Sequence, residues 1–254
     1  MNDPTDGYSG EPIPLFEVNP DLDRAALAKR FAETGRLQIR DVLTDRTARE
    51  ILRILAEETP WGISWQAGSA SQPQHLRPQQ VAAMSPQQRA AMSEALGRAT
   101  SGQDYAFLYA AYPMVDSVLQ QWAPGNPLDL LLEHINDDPF LDLLRDVSGM
   151  TDLIKADGQA TLYQPGHFLT RHSDSHKEEG WRIAYVLNVT NGEWRTDWGG
   201  YLLFYDDNGN VIEGYRPLFN SLNLFAVPQW HSVSFVAPFA PIGRFAITGW
   251  ARDR

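Results

Sequence analysis

The sequence predicts an α+β protein that is mainly β in its second half. Beyond about residue 152, short runs of alternating apolar and polar residues follow one another, the pattern of half-buried strands. Turn signals separate these runs at Asn191-Gly192, at 206–209 and at 241–243. The first 150 residues show helical spacing interrupted by single strands. Many short strands at this spacing indicate a sandwich or barrel rather than βαβ units.

The elements of the first half follow from spacing and capping residues. Leu22, Ala25, Leu27 and Phe31 have helical spacing, and Ser85 followed by Pro86 is a typical helix start. In chain order the predicted elements are a helix over 21–35, a strand over 37–42, a helix beginning at Thr44 or Asp45, a helix over 85–98, a strand over 104–113, and helices near 127–134 and 139–147. The segment 61–80 fits either a strand or a loop near the mouth of a site.

The predicted organisation is one domain. Residues 1–12 are rich in Gly, Pro and Asp, which predicts a disordered or loosely attached terminus. Residues 13–254 then form a single domain, with a shell over 13–150 and a β core over about 104–114 and 152–252. The 254 residues, 43% of them hydrophobic, suffice for a sizeable core.

Composition excludes several functions. The net charge of −11 argues against a nucleic-acid binder and favours a basic peptide or protein partner. The absence of cysteine excludes disulfides, thiol nucleophiles and thiolate metal sites. An acidic N-terminus and the lack of a long apolar run predict a cytoplasmic protein that does not bind membranes. The oligomeric state is left open.

Two histidines and a carboxylate are the candidate metal ligands. His172 and Asp174 are two residues apart in an alternating run, so they point to one side of a strand. His231 heads another alternating run. Two His and one carboxylate match the facial triad of non-haem Fe(II) oxygenases. His176 competes with His231, but it requires the strand to continue into 177–179, which resembles a solvated loop.

Arg244 is the candidate anion-binding residue. It follows His231 by 13 residues and opens a third alternating run, which is otherwise apolar. Its planar guanidinium suits a bidentate carboxylate partner.

At these residues the sequence resembles the 2-oxoglutarate and Fe(II)-dependent oxygenases, in the prolyl-hydroxylase-like branch that includes the ribosomal-protein prolyl hydroxylases. The resemblance covers about residues 153–252. It rests on an ordered set: Tyr163-x-x-Gly166 before His172-x-Asp174, Arg-Ile-Ala-Tyr-Val-Leu-Asn at 182–188, Trp194 with Gly199-Gly200, Asn223-Leu-Phe, His231-Ser-Val, and Arg244 with Thr248-Gly-Trp.

The resemblance implies a fold and a set of site residues. The fold is a double-stranded β-helix (jelly roll, cupin-like), with N-terminal helices packed on one sheet. His172, Asp174 and His231 would bind Fe(II) and act through the iron centre, with O₂ and 2-oxoglutarate as co-substrates. The co-substrate carboxylate would be bound by Arg244, with Thr248, Tyr163 and Asn188 as further contacts. Many relatives have a tyrosine where this chain has Asn188.

Three functions are compatible with these residues. The first is hydroxylation of a prolyl residue of a protein or peptide, which the branch and the acidic surface favour. The second is hydroxylation of a free amino acid or small metabolite with the same iron site. The third is a non-catalytic metal-binding jelly roll or sensor. Arg182 shares a strand face with Asn188 and could reach a substrate, although a surface role is the preferred interpretation.

Overall fold

The computed structural model describes residues 15–174 and 177–254. The terminus predicted to be disordered, 1–12, and the competing His176 lie outside the described residues. Within the described part the helices are α1 (Arg24–Thr34), α2 (Asp45–Arg53), α3 (Pro78–Ala83), α4 (Pro86–Ser101), α5 (Met114–Gln120), α6 (Pro127–Ile135) and α7 (Asp138–Ser148). The strands are β1 (Arg36–Arg40), β2 (Gly62–Ala67), β3 (Gln74–Leu76), β4 (Ala106–Pro113), β5 (Lys155–Ala156), β6 (Gln159–Tyr163), β7 (Phe168–Ser173), β8 (Trp181–Asn188), β9 (Leu202–Tyr205), β10 (Val211–Tyr215), β11 (Ser221–Ala226), β12 (Trp230–Val233) and β13 (Arg244–Arg252).

Local signals explain where the predicted helices begin and end. α1 ends at Gly35, whose left-handed φ of 67° lets its N–H donate to the Phe31 carbonyl. α4 begins with a capping box, in which Ser85 and Gln88 each accept the other's backbone N–H. α6 and α7 both start with proline in the first turn. The helices α3 and α5 were not predicted, because six and seven residues are too few to show a helical period.

The strands wind into a double-stranded β-helix. One group contains β1, β11, β8, β13 and β6, and the other contains β7, β12, β9 and β10. From β6 onwards the chain alternates between them, with the β9–β10 hairpin counting as one step: β6, β8, β11 and β13 lie in the first group, whereas β7, β9, β10 and β12 lie in the second. β4 pairs with both β6 and β7 and so joins the groups. The predicted jelly roll is confirmed.

Helices α1, α2, α6 and α7 share a core with the outer face of the first group, whereas α3 and α4 lie against β2 and its neighbours. Along β8, Ile183, Tyr185 and Leu187 belong to the large core shared with the helices. Ala184 and Val186 alternate with them and belong to a separate cluster inside the barrel. This alternation leaves one side of each strand for the helices and the other for the interior.

The segment 61–80 contains a hairpin added to the β core. β2 pairs with β4 on one side and with β3 on the other. The strand interpretation therefore holds for β2, and the hairpin tip carries Pro73, which lines the interior cavity described below. Across the described residues, no helix combines the length and apolar character needed to cross a membrane.

Candidate metal and co-substrate site

The structure brings His172, Asp174 and His231 together at neighbouring strands. His172 on β7 and His231 on β12 are paired across the antiparallel ladder, and their ring centroids lie 4.1 Å apart. Asp174 follows β7 directly. Its Oδ1 is 3.5 Å from His172 Nε2, and its Oδ2 is 3.7 Å from His231 Nε2. One ligand atom from each residue lies within 4.8 Å of the other two, so the group could hold a metal ion.

Backbone contacts orient both imidazoles in the same way. His172 Nδ1 lies 2.9 Å from the Thr170 carbonyl oxygen, and His231 Nδ1 lies 2.9 Å from that of Gln229. A carbonyl can only accept, so each Nδ1 carries the proton and donates it. The lone pair is then on Nε2, which faces Asp174 in both cases. Such a contact on the second ring nitrogen sets the tautomer of metal-binding histidines.

The protonation states also suit a divalent metal. His231 is 5% exposed, and burial, reinforced by His172, lowers its pKa to about 4. Burial works to raise the pKa of Asp174, but the two imidazoles and the Trp250 N–H outweigh it, leaving the pKa below the usual value. Near neutral pH the site therefore holds a neutral His231 and an anionic Asp174, the forms that bind metals. The donor set of two imidazoles and one carboxylate fits Fe(II).

Arg244 lies deep in the same barrel. It is 2% exposed and opens β13 opposite Tyr163 of β6. Its Nε donates to Asn188 Oδ1 at 3.2 Å and its Nη1 to the Gly200 carbonyl at 3.0 Å, and its guanidinium lies 5.4 Å from the Tyr163 ring centroid. Burial lowers its pKa to about 10, so it stays charged near neutral pH. Among residues 15–174 and 177–254, no carboxylate forms an ion pair with it.

Comparison with protein-family models matches residues 158–252 to the 2OG-Fe(II) oxygenase superfamily. This is the superfamily that the sequence resembles. Its members use Fe(II), 2-oxoglutarate and O₂, which is the predicted cofactor set, and the triad and the buried arginine both lie within the matched part. A search of curated protein sequences finds no match.

Solved structures with the same fold include several oxygenases. A prolyl-4-hydroxylase of Pseudomonas putida is 17% identical, with a TM-score of 0.56 over 91% of this chain and 99% of that one. A prolyl hydroxylase of Trichoplax adhaerens, solved with a peptide of hypoxia inducible factor, is 15% identical, with a TM-score of 0.58 over 91% and 89%. The α-ketoglutarate-dependent epimerase SnoN of nogalamycin biosynthesis is 13% identical, with a TM-score of 0.52 over 91% and 82%. At these identities the likeness shows the fold alone.

In this oxygenase fold, one cavity of about 620 Å³ connects the triad with Arg244. It lies between the two groups of strands, since residues of both line it. Beyond those four residues its wall combines aromatic, aliphatic, hydroxyl and amide side chains with His75. The contributing side chains include Tyr105, Tyr109, Trp181, Trp250, Gln66 and Gln159. In the described part of the chain, Asp174 is the only acidic residue in this lining, and Arg244 is the only arginine or lysine.

The other predicted co-substrate residues take two different positions. Tyr163 and Thr248 line the cavity, and Tyr163 stacks on Tyr109 with ring centroids 5.0 Å apart. Asn188 is fully buried behind Arg244 and is absent from the lining. Its Nδ2 lies 3.4 Å from Ser221 Oγ. Among the described residues of the predicted co-substrate set, Asn188 forms a hydrogen bond with Arg244, which it accepts from the guanidinium Nε.

Sequence reasoning missed the role of one tryptophan. Trp250 Nε1 donates to Asp174 Oδ2 at 2.8 Å. The available signal was its position six residues after Arg244, on the same strand face. Arg182 does not enter the cavity; it pairs with Asp152 and Asp253 at 2.9 and 2.8 Å, in agreement with its preferred surface role.

Proposed function

We propose that this protein is an Fe(II)- and 2-oxoglutarate-dependent dioxygenase that hydroxylates a prolyl residue of a protein or peptide and releases succinate and CO₂. One observation carries the reaction class. A buried arginine, which pairs with no carboxylate of residues 15–174 and 177–254, opens into the same cavity as a 2-His-1-carboxylate group. Leaving a buried charge unpaired costs several kcal/mol, and the distal carboxylate of 2-oxoglutarate would remove this cost.

His172, Asp174 and His231 would hold the metal. Bound Fe(II), with 2-oxoglutarate and O₂, supplies the oxidation of an unactivated C–H bond. The chain contributes a preorganised donor set, because each imidazole is fixed by a backbone carbonyl. The single carboxylate leaves one positive charge of the divalent ion uncompensated, which favours an anionic co-substrate beside it.

Arg244 would bind the distal carboxylate of 2-oxoglutarate. Of its five N–H donors, one is committed to Asn188 and one to Gly200. The remaining three, one on Nη1 and two on Nη2, donate to no described residue, so one N–H from each nitrogen is free for a bidentate contact. Tyr163 and Thr248 line the cavity beside it and can add hydroxyl donors. We assign Asn188 to positioning, since it accepts from Nε and thereby orients the guanidinium plane.

The cavity wall favours a substrate group without charge. A free amino acid would bring an ammonium and a carboxylate, and each would need a counter-charge in the cavity. The described lining offers aromatic rings and the amides of Gln66 and Gln159 instead. A prolyl residue inside a chain carries no charge, and its ring can pack on aromatic side chains. The net charge of −11 would in addition steer a basic protein towards this surface.

A neutral small metabolite is the second candidate, because the same uncharged wall would also accept an apolar molecule. One protein of this fold, SnoN, is an epimerase of nogalamycin biosynthesis. We further propose that residues 13–254 act as one domain, a view supported by the single core that the helices share with the first group of strands.

The test combines a binding signal with turnover. Fe(II) and 2-oxoglutarate are titrated anaerobically while the weak visible charge-transfer band is followed, and succinate is then measured in air. The additions are lysine-flanked prolyl peptides, the same peptides with alanine for proline, and free L-proline. Turnover stimulated by the prolyl peptides alone supports the proposal. A band with succinate but without peptide stimulation removes the prolyl substrate and keeps the oxygenase. Neither band nor succinate in folded, iron-loaded protein indicates the non-catalytic metal-binding jelly roll.

A further inference from the structure

Trp250 and Trp181 form a parallel stacked pair in the wall of the cavity. Their ring centroids lie 4.0 Å apart with an interplanar angle of 11°. The Trp250 indole N–H donates to Asp174 Oδ2 at 2.8 Å, while Asp174 Oδ1 lies 3.5 Å from His172 Nε2. The two carboxylate oxygens therefore face different neighbours, and the indole determines which oxygen turns towards which.

The backbone of Trp250 is held independently of its ring. Its N–H donates to Asp157 Oδ1 at 2.7 Å. The preceding Gly249 packs so closely that a Cβ there would lie 2.1 Å from the Asp157 carbonyl oxygen, so only glycine fits. On the far side of the pair, the Arg252 guanidinium lies 5.8 Å from the Trp181 ring centroid and forms an ion pair with Asp157. The indole is thus confined by its backbone and, on one face, by Trp181.

Asp174 needs such support because of its place in the chain. β7 ends at Ser173, so Asp174 lies just beyond the last residue of the strand. His172 and His231, in contrast, sit in a paired ladder and have backbone contacts on their rings. Carboxylate χ2 rotation is broad and roughly two-fold. The Trp250 indole N–H, a hydrogen-bond donor of fixed position, selects one orientation of the Asp174 carboxylate.

We propose that Trp250 is a positioning residue that orients the Asp174 carboxylate for metal binding, and that Trp181 keeps the indole in place by stacking. The inference rests on the proposed function, in which Asp174 is an Fe(II) ligand. Loss of a hydrogen-bonding partner of a metal ligand lowers metal affinity by about 10- to 100-fold. The same order of loss is expected when the indole N–H is removed.

The experiment measures metal affinity, which does not depend on turnover. Apo protein is titrated anaerobically with Mn(II) and Co(II), in the unmodified chain and in Trp250→Phe, which keeps an aromatic ring and removes the N–H. We expect binding about 10- to 100-fold weaker in Trp250→Phe. Trp181→Phe keeps a stacked ring and should lose less. Trp198→Phe is the matched control, since Trp198 contacts Trp194 edge-on and does not line the cavity; its affinity should be unchanged.

The outcomes distinguish a failure of the Trp250 positioning role from a failure of Asp174 as a metal ligand. Asp174→Ala is titrated in parallel. If Asp174→Ala loses metal affinity but folded Trp250→Phe binds as tightly as the unmodified chain, the positioning role is refuted. If Asp174→Ala also binds normally, the ligand assignment fails first. Should Trp250→Phe not fold, the indole N–H signal of Trp250 is followed by NMR in the unmodified protein. A shift on adding Zn(II) supports the contact, and an unmoved signal refutes it.

Discussion

Replacement of Arg244 tests the co-substrate site most directly. Arg244→Met removes the guanidinium and keeps an unbranched side chain in a position that is 2% exposed. Two hydrogen bonds to a carboxylate would be lost, each worth about 1.5–3 kcal/mol when a charged group takes part. Since 1.4 kcal/mol corresponds to a factor of ten, the 2-oxoglutarate requirement should rise about 10²- to 10⁴-fold. Arg244→Lys keeps the positive charge but lacks the planar guanidinium. Its 2-oxoglutarate requirement should lie between those of the unmodified chain and Arg244→Met.

Folding should change much less than binding in Arg244→Met. Asn188 Oδ1 and the Gly200 carbonyl each lose a donor, a penalty of about 1–3 kcal/mol per group. The substitution also removes a buried cation that has no carboxylate partner among the described residues, and this relief offsets the penalty. The free energy of unfolding of the metal-free protein, from chemical denaturation, should therefore stay close to that of the unmodified chain.

Two quantities are measured for each variant. One is the 2-oxoglutarate concentration that half-saturates the anaerobic charge-transfer band, and the other is the KM for 2-oxoglutarate in succinate release. Arg182→Met is the matched control, because Arg182 pairs with Asp152 and Asp253 outside the cavity. It should leave both quantities unchanged. A folded Arg244→Met protein with an unaltered 2-oxoglutarate requirement would refute the assigned role.

Three further predictions test the site and the core. Asp174→Ala should abolish metal binding and succinate formation, whereas replacement of the exposed Asp137 by alanine should not. Calorimetric titration with Mn(II) measures the binding. Normal binding by Asp174→Ala would exclude Asp174 as a ligand. Asn188→Leu removes the acceptor of a guanidinium N–H and should raise the 2-oxoglutarate requirement about tenfold, with kcat less affected; an unchanged requirement would argue against positioning. Leu131→Ala in α6, fully buried, should lower the free energy of unfolding by about 2–5 kcal/mol. The neighbouring Leu130→Ala, 47% exposed, should change it by no more than about 0.5 kcal/mol; equal effects would contradict the packing described for this helix.

Much of this architecture follows from local signals in the sequence. The alternation of His172 with Asp174 places both on one side of β7, because strand side chains repeat every second residue. Proline and serine at helix starts, and Gly35 at a helix end, gave correct positions for α1 and α4 within a few residues. These signals depend on neighbours in the chain, which the sequence contains directly.

What the sequence did not predict depends on contacts across the fold. Trp250 and Asp174 are 76 residues apart, and their hydrogen bond exists because β13 of the first group and the end of β7 in the second group face the same cavity. Asn188 was expected to contact 2-oxoglutarate, whereas the structure places it against Arg244 and outside the cavity lining. Strand alternation predicts the side to which a residue points. Alternation does not predict that a longer side chain, here that of Arg244, lies between Asn188 and the cavity.

The register of the sheet connects the β2–β3 hairpin to Arg244. Ser64 of β2 is paired with His75 of β3 on one side and with Tyr109 of β4 on the other. Tyr109 stacks on Tyr163, which is paired with Arg244. The residues proposed to bind iron and 2-oxoglutarate lie on or directly beside the wound core strands, whereas the far end of this row lies on an added hairpin. Changes in the β2–β3 hairpin can therefore alter which substrate is admitted while the core strands keep the chemistry.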